Sequence, residues 1–444
     1  MTLTAAAPPH ADRRPAPATA TPPRAFAEIR SLTGLRIVAA LWVVFFHLSW
    51  APGDAYTRYW APLLPLVRHG ALGVDLFFVL SGFVITLTYV DKLGSRPTLR
   101  GSVTFWWARI CRIWPVHVLV TSLFGIWLLV KASRHHPGPV ALQAVQPVVD
   151  LPHWLEQLLM VQLWHRPSFV GASWVGPAWS ISAEWAAYAF FPLLVPVLWR
   201  LRKAPPLVTG AMSLVFMVPW AYTMEHGASY PYSWAVRIAG GFLAGAFLCL
   251  AVRRIPRTDR VDRIAGRVAV LATLEILVVL WADSAKRGST NSGGLVVLTF
   301  PVLVGALALS TQGMSRWLST DAMVLGGKIS FSLYLLHMPI LEIGYTLMAW
   351  YPRLAPGTRL GTLLLPHLFL AAVLLAYLVH RFVEEPARLS LRGIRLPRRR
   401  TDAGTRADCD GAVARCPGTT ADLTDLVPAA RTAPVAAGAR RSWA

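Results

Sequence analysis

Apolar runs of roughly 17–25 residues recur along this chain, at about 33–50, 70–90, 113–131, 179–199, 207–224, 234–252, 264–282, 294–312, 326–350 and 359–380. A run of that length matches the ~20 residues of helix that cross a hydrocarbon core of about 30 Å. Inside lipid every backbone amide and carbonyl needs an internal partner, and a helix supplies one. The chain is therefore expected to be all-α: a polytopic integral membrane helical bundle of about ten transmembrane helices. Its charged fraction agrees, since only 15% of the 444 residues are charged, against about a quarter in ordinary soluble domains.

Charge sets the orientation. The net charge is +21, but the basic residues sit in short connections and a tail rather than in a folded basic domain. They read as topology signals and as attraction to anionic lipid, not as a nucleic-acid surface. Connection 91–112 carries Lys92, Arg96, Arg100, Arg109 and Arg112, and 200–206 and 253–263 are similarly basic. Connection 225–233 has neither Lys nor Arg, and 51–69 has only Arg58 and Arg68. An even number of spans with this bias places both termini in the cytoplasm of a multi-pass cell-membrane protein. Residues 1–27, rich in Pro and Ala, are expected to be a disordered tail, 28–392 the membrane domain, and 393–444 a disordered basic tail. No small-residue cleavage site follows the first apolar run, so it reads as a retained span. The Ala-, Arg- and Pro-rich usage points to a high-GC bacterial genome. The cysteines have no zinc or disulfide spacing, and no metal-ligating motif is present.

Ionisable groups inside the spans are costly and mark function by default. Between Arg36 and His47 stand ten apolar residues, IVAALWVVFF. Eleven helical steps separate the two by roughly 16 Å, about half the hydrocarbon core. In this topology His47 lies toward the outer end of the first span. Asp75 lies one turn into the second, and Glu184, in WSISAEW, just below the outer surface. A carboxylate beside an imidazole fixes its tautomer and raises its basicity, as a general base acting on a hydroxyl requires. The competing reading is a polar pair that only holds helices together; with both groups at one depth, the general-base reading is preferred. Arg36, Arg109 and Arg112 form a cationic set at the inner face, suited to phosphate, although ordinary positive-inside charge also explains such arginines. His337 interrupts an apolar span near mid-membrane, with a structural and an accessory role equally open. His117 reads as structural, and His135, His136 and His153 as solvated. Ser180 and Ser182 read as helix-capping residues before nucleophiles. Glu384 and Glu385, followed by Pro386, are expected to end the last helix. The spacing of Gly241 and Gly245 suits close helix packing.

Six segments in order resemble the membrane acyltransferase-3 family: Arg-x10-His from Arg36 to His47, GVDLFFVLSGFVI, RICRIWP, WSISAEW, SFSLYLLHMPIL and RFVEEPARL. The resemblance covers roughly residues 28–392 and implies transfer of a short acyl group to a hydroxyl, with acyl-CoA as donor substrate and no permanently bound cofactor. It implies that His47 is the essential base with Arg36 as its partner. Arg109 and Arg112 match the family's basic pair, and Glu184 its acidic residue, although Trp185 stands where a second Glu is usual. The expected acceptor is a glycosylated secondary metabolite such as a macrolide antibiotic. The alternatives are O-acetylation of a cell-envelope polysaccharide and, in another class, a multi-span transporter, which the absence of an internal repeat disfavours.

Overall fold

Helices account for most of the computed structural model, which describes residues 28–51, 61–134, 143, 145–226, 230–287 and 293–393. The two expected tails, apart from Gly393, and His135 and His136 lie outside the described residues. In chain order the helices are α1 (Arg30–Leu48), the short α2 (Leu64–Arg68), α3 (Leu72–Leu93), α4 (Leu99–Ala132), the short α5 (Leu151–Leu158), α6 (Trp179–Leu201) and α7 (Pro206–Glu225). They continue with α8 (Ser233–Arg254), α9 (Asp259–Arg287), α10 (Gly294–Leu309), the short α11 (Gly313–Leu318), α12 (Asp321–Trp350), α13 (Arg359–Val379) and α14 (Glu385–Gly393). Among the described residues no strand occurs, and nine helices are long and apolar enough to cross a membrane. Each of the ten apolar runs falls on a helix. One differs from expectation: α10 has 16 residues, about 24 Å of helix, short of a ~30 Å core.

The basic connection expected at 91–112 is largely helix. Thr98 accepts a hydrogen bond from the Gly101 amide at 3.1 Å, and this N-cap starts α4 at Leu99 instead of 113. Phe105 packs in the core at 1% exposure, so the first turns have an apolar face of their own. Arg109 and Arg112 consequently lie three apart on a helix facing the bundle interior, not in a loop.

Close approaches fix the register between helices. A Cβ on Gly245 would stand 2.0 Å from the Val79 carbonyl oxygen of α3, and one on Gly241 2.7 Å from the Phe78 Cβ. The expected small-residue seam is therefore the α3–α8 contact. Between the parallel helices α1 and α12, a Cβ on Gly327 would meet the Thr33 carbonyl oxygen at 1.8 Å. That contact brings His47 of α1 and His337 of α12 to one level, because each lies some 10–14 residues further along its helix.

Residues 145–178 fold back over the end of the bundle that carries His47 before the chain enters α6. His117 Nε2 faces the Gln157 carbonyl at 2.8 Å, and the Trp114 indole donates to the Leu158 carbonyl at 3.0 Å, tying α5 to α4. Trp174 donates to the Val148 carbonyl at 2.9 Å and lies flush on Gly125. α6 therefore begins beneath a folded cap, and everything in its first turns sits deeper than a span starting at the surface would place it.

At the other end the chain does not stop at the two glutamates. A π-turn over His380–Glu384 leads into α14, with Pro386 in its first turn, where its missing amide costs nothing. Glu384 is buried and accepts from Ser332 at 2.8 Å and from His380 at 3.0 Å.

Candidate active site

Three cavities lie in a row through the bundle, and inner, middle and outer name them from the end that carries the start of α1 to the end that carries His47. The inner one, ≈ 660 Å³, opens among the start of α1, the end of α3, the start of α12 and α14. The middle one, ≈ 230 Å³, is bounded by Arg36, Arg109, Arg112, Glu184 and Tyr188. The outer one, ≈ 330 Å³, holds His47 beneath the cap. Arg36, Val84, Thr88 and Arg112 line both the inner and the middle cavity. Val74 and Tyr334 line both the middle and the outer one.

His47 faces the apolar outer cavity from the last turn of α1, with Phe46 and Trp50 ring-on-edge at 5.0 and 4.9 Å between centroids. Its Nδ1 has two neighbours, the Val43 carbonyl at 3.0 Å and His337 Nε2 at 3.1 Å. His337, fully buried, directs Nδ1 at the Leu333 carbonyl at 3.2 Å. A carbonyl only accepts, so His337 Nδ1 carries the proton and its Nε2 is a lone pair in the neutral ring. Both neighbours of His47 Nδ1 are then acceptors, which places the His47 proton on Nδ1. Nε2 of His47 is left with its lone pair, the form a general base needs.

Asp75 does not play the part expected of it. It is buried at 1% exposure, and both its oxygens are taken by Arg237, from Nε at 2.8 Å and Nη2 at 2.7 Å. Arg237 Nη2 also donates to the Ala71 carbonyl at 2.9 Å, and the guanidinium carbon stands 5.1 Å from each of the Trp179 and Trp220 rings. The two groups share the outer region, but helix rotation turns Asp75 toward α8. The orienting partner that His47 does have is an imidazole. Nη1 of Arg237 has no hydrogen bond among the described residues, and Arg237 is the only Lys or Arg among those lining the outer cavity.

Glu184 lies deeper than expected, in the middle cavity with the arginines and not beside His47. The cap is the cause, since it lowers the start of α6. One carboxylate oxygen of Glu184 accepts from Ser81 and from Tyr188, each at 2.5 Å. Arg36, Arg109 and Arg112 share this cavity, brought together from α1 and one face of α4. Arg109 donates to the Tyr89 hydroxyl at 3.1 Å and stands over that ring. The structure thus assembles the expected cationic trio and adds a carboxylate to it. Ser180 and Ser182 have structural partners: Ser180 bonds the Tyr334 hydroxyl at 2.7 Å and the Pro177 carbonyl at 3.0 Å, and Ser182 donates to the Met160 carbonyl at 2.8 Å.

Sequence reasoning missed Arg237 and Tyr334. Arg237 carried a usable signal, because it is a lone cation in an apolar span, the same feature that singles out Arg36 and His47. Tyr334 carried none.

The family model described as an acyltransferase domain matches residues 29–381. An acyltransferase of Streptomyces mycarofaciens, MdmB, is 28% identical over 85% of this chain and 95% of its own length. A putative peptidoglycan O-acetyltransferase of Bacillus subtilis, YrhL, is 24% identical over 81% of this chain and 55% of its own length. A putative O-acetyltransferase of Staphylococcus aureus, SACOL0978, is 22% identical over 71% of this chain and 51% of its own length. No solved structure matches the chain.

Proposed function

This chain belongs to the acyltransferase-3 family, and on that basis we propose that it moves a short acyl group from acyl-CoA to a hydroxyl of a glycosylated acceptor. The observation that carries the reading is the row of three cavities, with cations at one end and the free Nε2 of His47 at the other. Arg36 and Arg112, at the junction of the inner and middle cavities, receive the donor diphosphate in bidentate fashion. The pantetheine arm runs through the middle cavity past Arg109 and Glu184. Its span is comparable to the ~16 Å between Arg36 and His47, so the thioester arrives beside Tyr334 and Val74.

Nε2 of His47 takes the proton of the acceptor hydroxyl as that oxygen attacks the thioester carbonyl carbon. The carbon–sulfur bond breaks, the acyl–oxygen bond remains, and the imidazolium returns its proton to the departing CoA sulfur. A general base of this kind is worth about 10²–10⁴ in rate. Arg237, held in place by Asp75, offers Nη1 to the charge that grows on the carbonyl oxygen, the usual task of a fixed cationic donor. Asp75 acts in this scheme through Arg237.

For the acceptor, the outer cavity favours a lipophilic glycosylated small molecule, such as a macrolide antibiotic. Its described walls are largely apolar, including Val43, Phe46, Trp50, Val74, Trp179 and Met338. The nearly full-length match to a Streptomyces acyltransferase supports the same reading. Envelope polysaccharide is the second reading, favoured by the printed name of the Bacillus relative, about half of whose length this chain spans. Mass spectrometry of a strain lacking this chain separates them. A glycosylated metabolite short of one acyl group supports the first reading, and an intact metabolite profile with an under-acetylated envelope polymer supports the second.

A further inference from the structure

The inner cavity is lined by cations with no hydrogen bond or ion pair of their own and by acids that already have partners. Among the described residues, Lys328, Arg388, Arg36 and Arg112 make no hydrogen bond or ion pair, and Lys92 lies only over the Tyr89 ring, 5.2 Å from its centroid. The acids facing the same space are engaged. Asp91 is paired with Arg253, and Glu385 with Arg381 at 3.5 Å. Glu384 accepts from Ser332 and His380, and Glu28 accepts from Thr33 at 2.7 Å. A cavity of ≈ 660 Å³ is of ordinary size for a nucleotide-sized ligand, and its uncompensated charge is positive.

These cations fall into two groups by depth. Arg36 and Arg112 also line the middle cavity, whereas Lys92, Lys328 and Arg388 line the inner one alone. The trio that lines the inner cavity alone comes from three elements: the end of α3, the start of α12, and α14. The Trp107 indole holds α14 against α4 by donating to the Leu391 carbonyl at 3.1 Å. Two separated groups call for a ligand with two separated anions, one next to the part that enters the bundle and one beyond it.

We propose that Lys92, Lys328 and Arg388 form a phosphate-monoester site for the 3′-phosphate of an adenosine 3′-phosphate 5′-diphosphate moiety whose diphosphate lies deeper, on Arg36 and Arg112. The assignment rests on the reading of acyl-CoA as donor. A phosphate monoester carries close to two negative charges at neutral pH, which suits three cations without partners of their own. Hydrogen bonds between charged partners are the stronger kind, and exposure of Lys92 and Lys328 to water moderates them. The trio is therefore expected to contribute about tenfold to donor KM.

The test uses the full chain purified into lipid nanodiscs, with acetyl-CoA and acetyl-dephospho-CoA, which lacks only the 3′-phosphate, as alternative donors. The expected result is a KM about tenfold lower for acetyl-CoA with the unaltered protein. In the double variant Lys328→Gln, Arg388→Gln that preference collapses, so that both donors show similar KM. These side chains are exposed or half-buried at the cavity wall, and a thermal melt of the variant checks that it remains folded. If the variant keeps the preference, or the unaltered protein has none, the site is not there, while acyl-CoA stands as donor. If the unaltered protein turns over neither thioester, the donor reading itself falls and takes this site with it.

Discussion

In the proposed mechanism His47 serves as a base only while its Nε2 lone pair faces the acceptor, and that depends on what holds Nδ1. The holder is His337, at 3.1 Å, together with the Val43 carbonyl. Replacing His337 by Phe removes the acceptor without emptying the space. It should lower kcat by less than the roughly 10²–10⁴ attached to the base itself and leave the KM for acyl-CoA nearly as it was. Gln at the same position, with a carbonyl oxygen that accepts, should restore part of the loss, and steady-state kinetics of the two variants checks both statements. Asp75 makes a different prediction. Asp75→Ala strands Arg237 in a nearly buried position, which costs about 3–5 kcal/mol and should show as a lower melting temperature of the purified protein. Arg237→Gln in the same background should recover much of it. Sequence placed Asp75 and His47 at one depth, and that was legible because depth follows from counting along a helix. Which way each side chain turns around its helix axis was not, so the carboxylate was paired with the imidazole of His47, and Arg237 went unnoticed.

At the scale of elements, the expected spans all became helices, because lipid leaves the backbone no alternative. The ends were harder to read. Arg109 and Arg112 look like loop charges when counted for topology, yet they belong to the 34-residue α4 and face a polar cavity that only the assembled bundle creates. Glu184 was misplaced for a related reason: residues 145–178 fold into a cap, and although the run SWVGPAW suits a lid or a shelf, it does not say how far beneath one α6 starts. The α1–α12 contact gives the element-scale prediction. Gly327→Val forces a side chain into the Thr33 carbonyl, 1.8 Å from the nearest Cβ position, and so must push the two helices apart. Since this contact sets the level of His47 against His337, acyl transfer should fall sharply, together with the melting temperature.

For the whole molecule, the cavities define an axis: cations and the basic connections at one end, His47 and the cap at the other. On the proposed reading, the positive-inside bias has the donor entering from the cytoplasm. Reporter fusions after residue 393 should be active only for a cytoplasmic C-terminus, and cysteine labelling of a Lys328→Cys variant in intact cells should require a membrane-permeant reagent. The family was legible from six short segments in order, and the match over residues 29–381 agrees with them. The acceptor was not legible, because an apolar chamber specifies size and polarity and not a particular hydroxyl. The central claim is that His47 is the base at the end of this axis. It is tested most directly by single-turnover transfer of labelled acetyl from acetyl-CoA to a glycosylated acceptor, comparing the purified protein with its His47→Gln variant at matched folded concentration. The account predicts donor binding in both and label transfer lost by about 10²–10⁴ in the variant. Transfer by His47→Gln at close to the unaltered rate would contradict it.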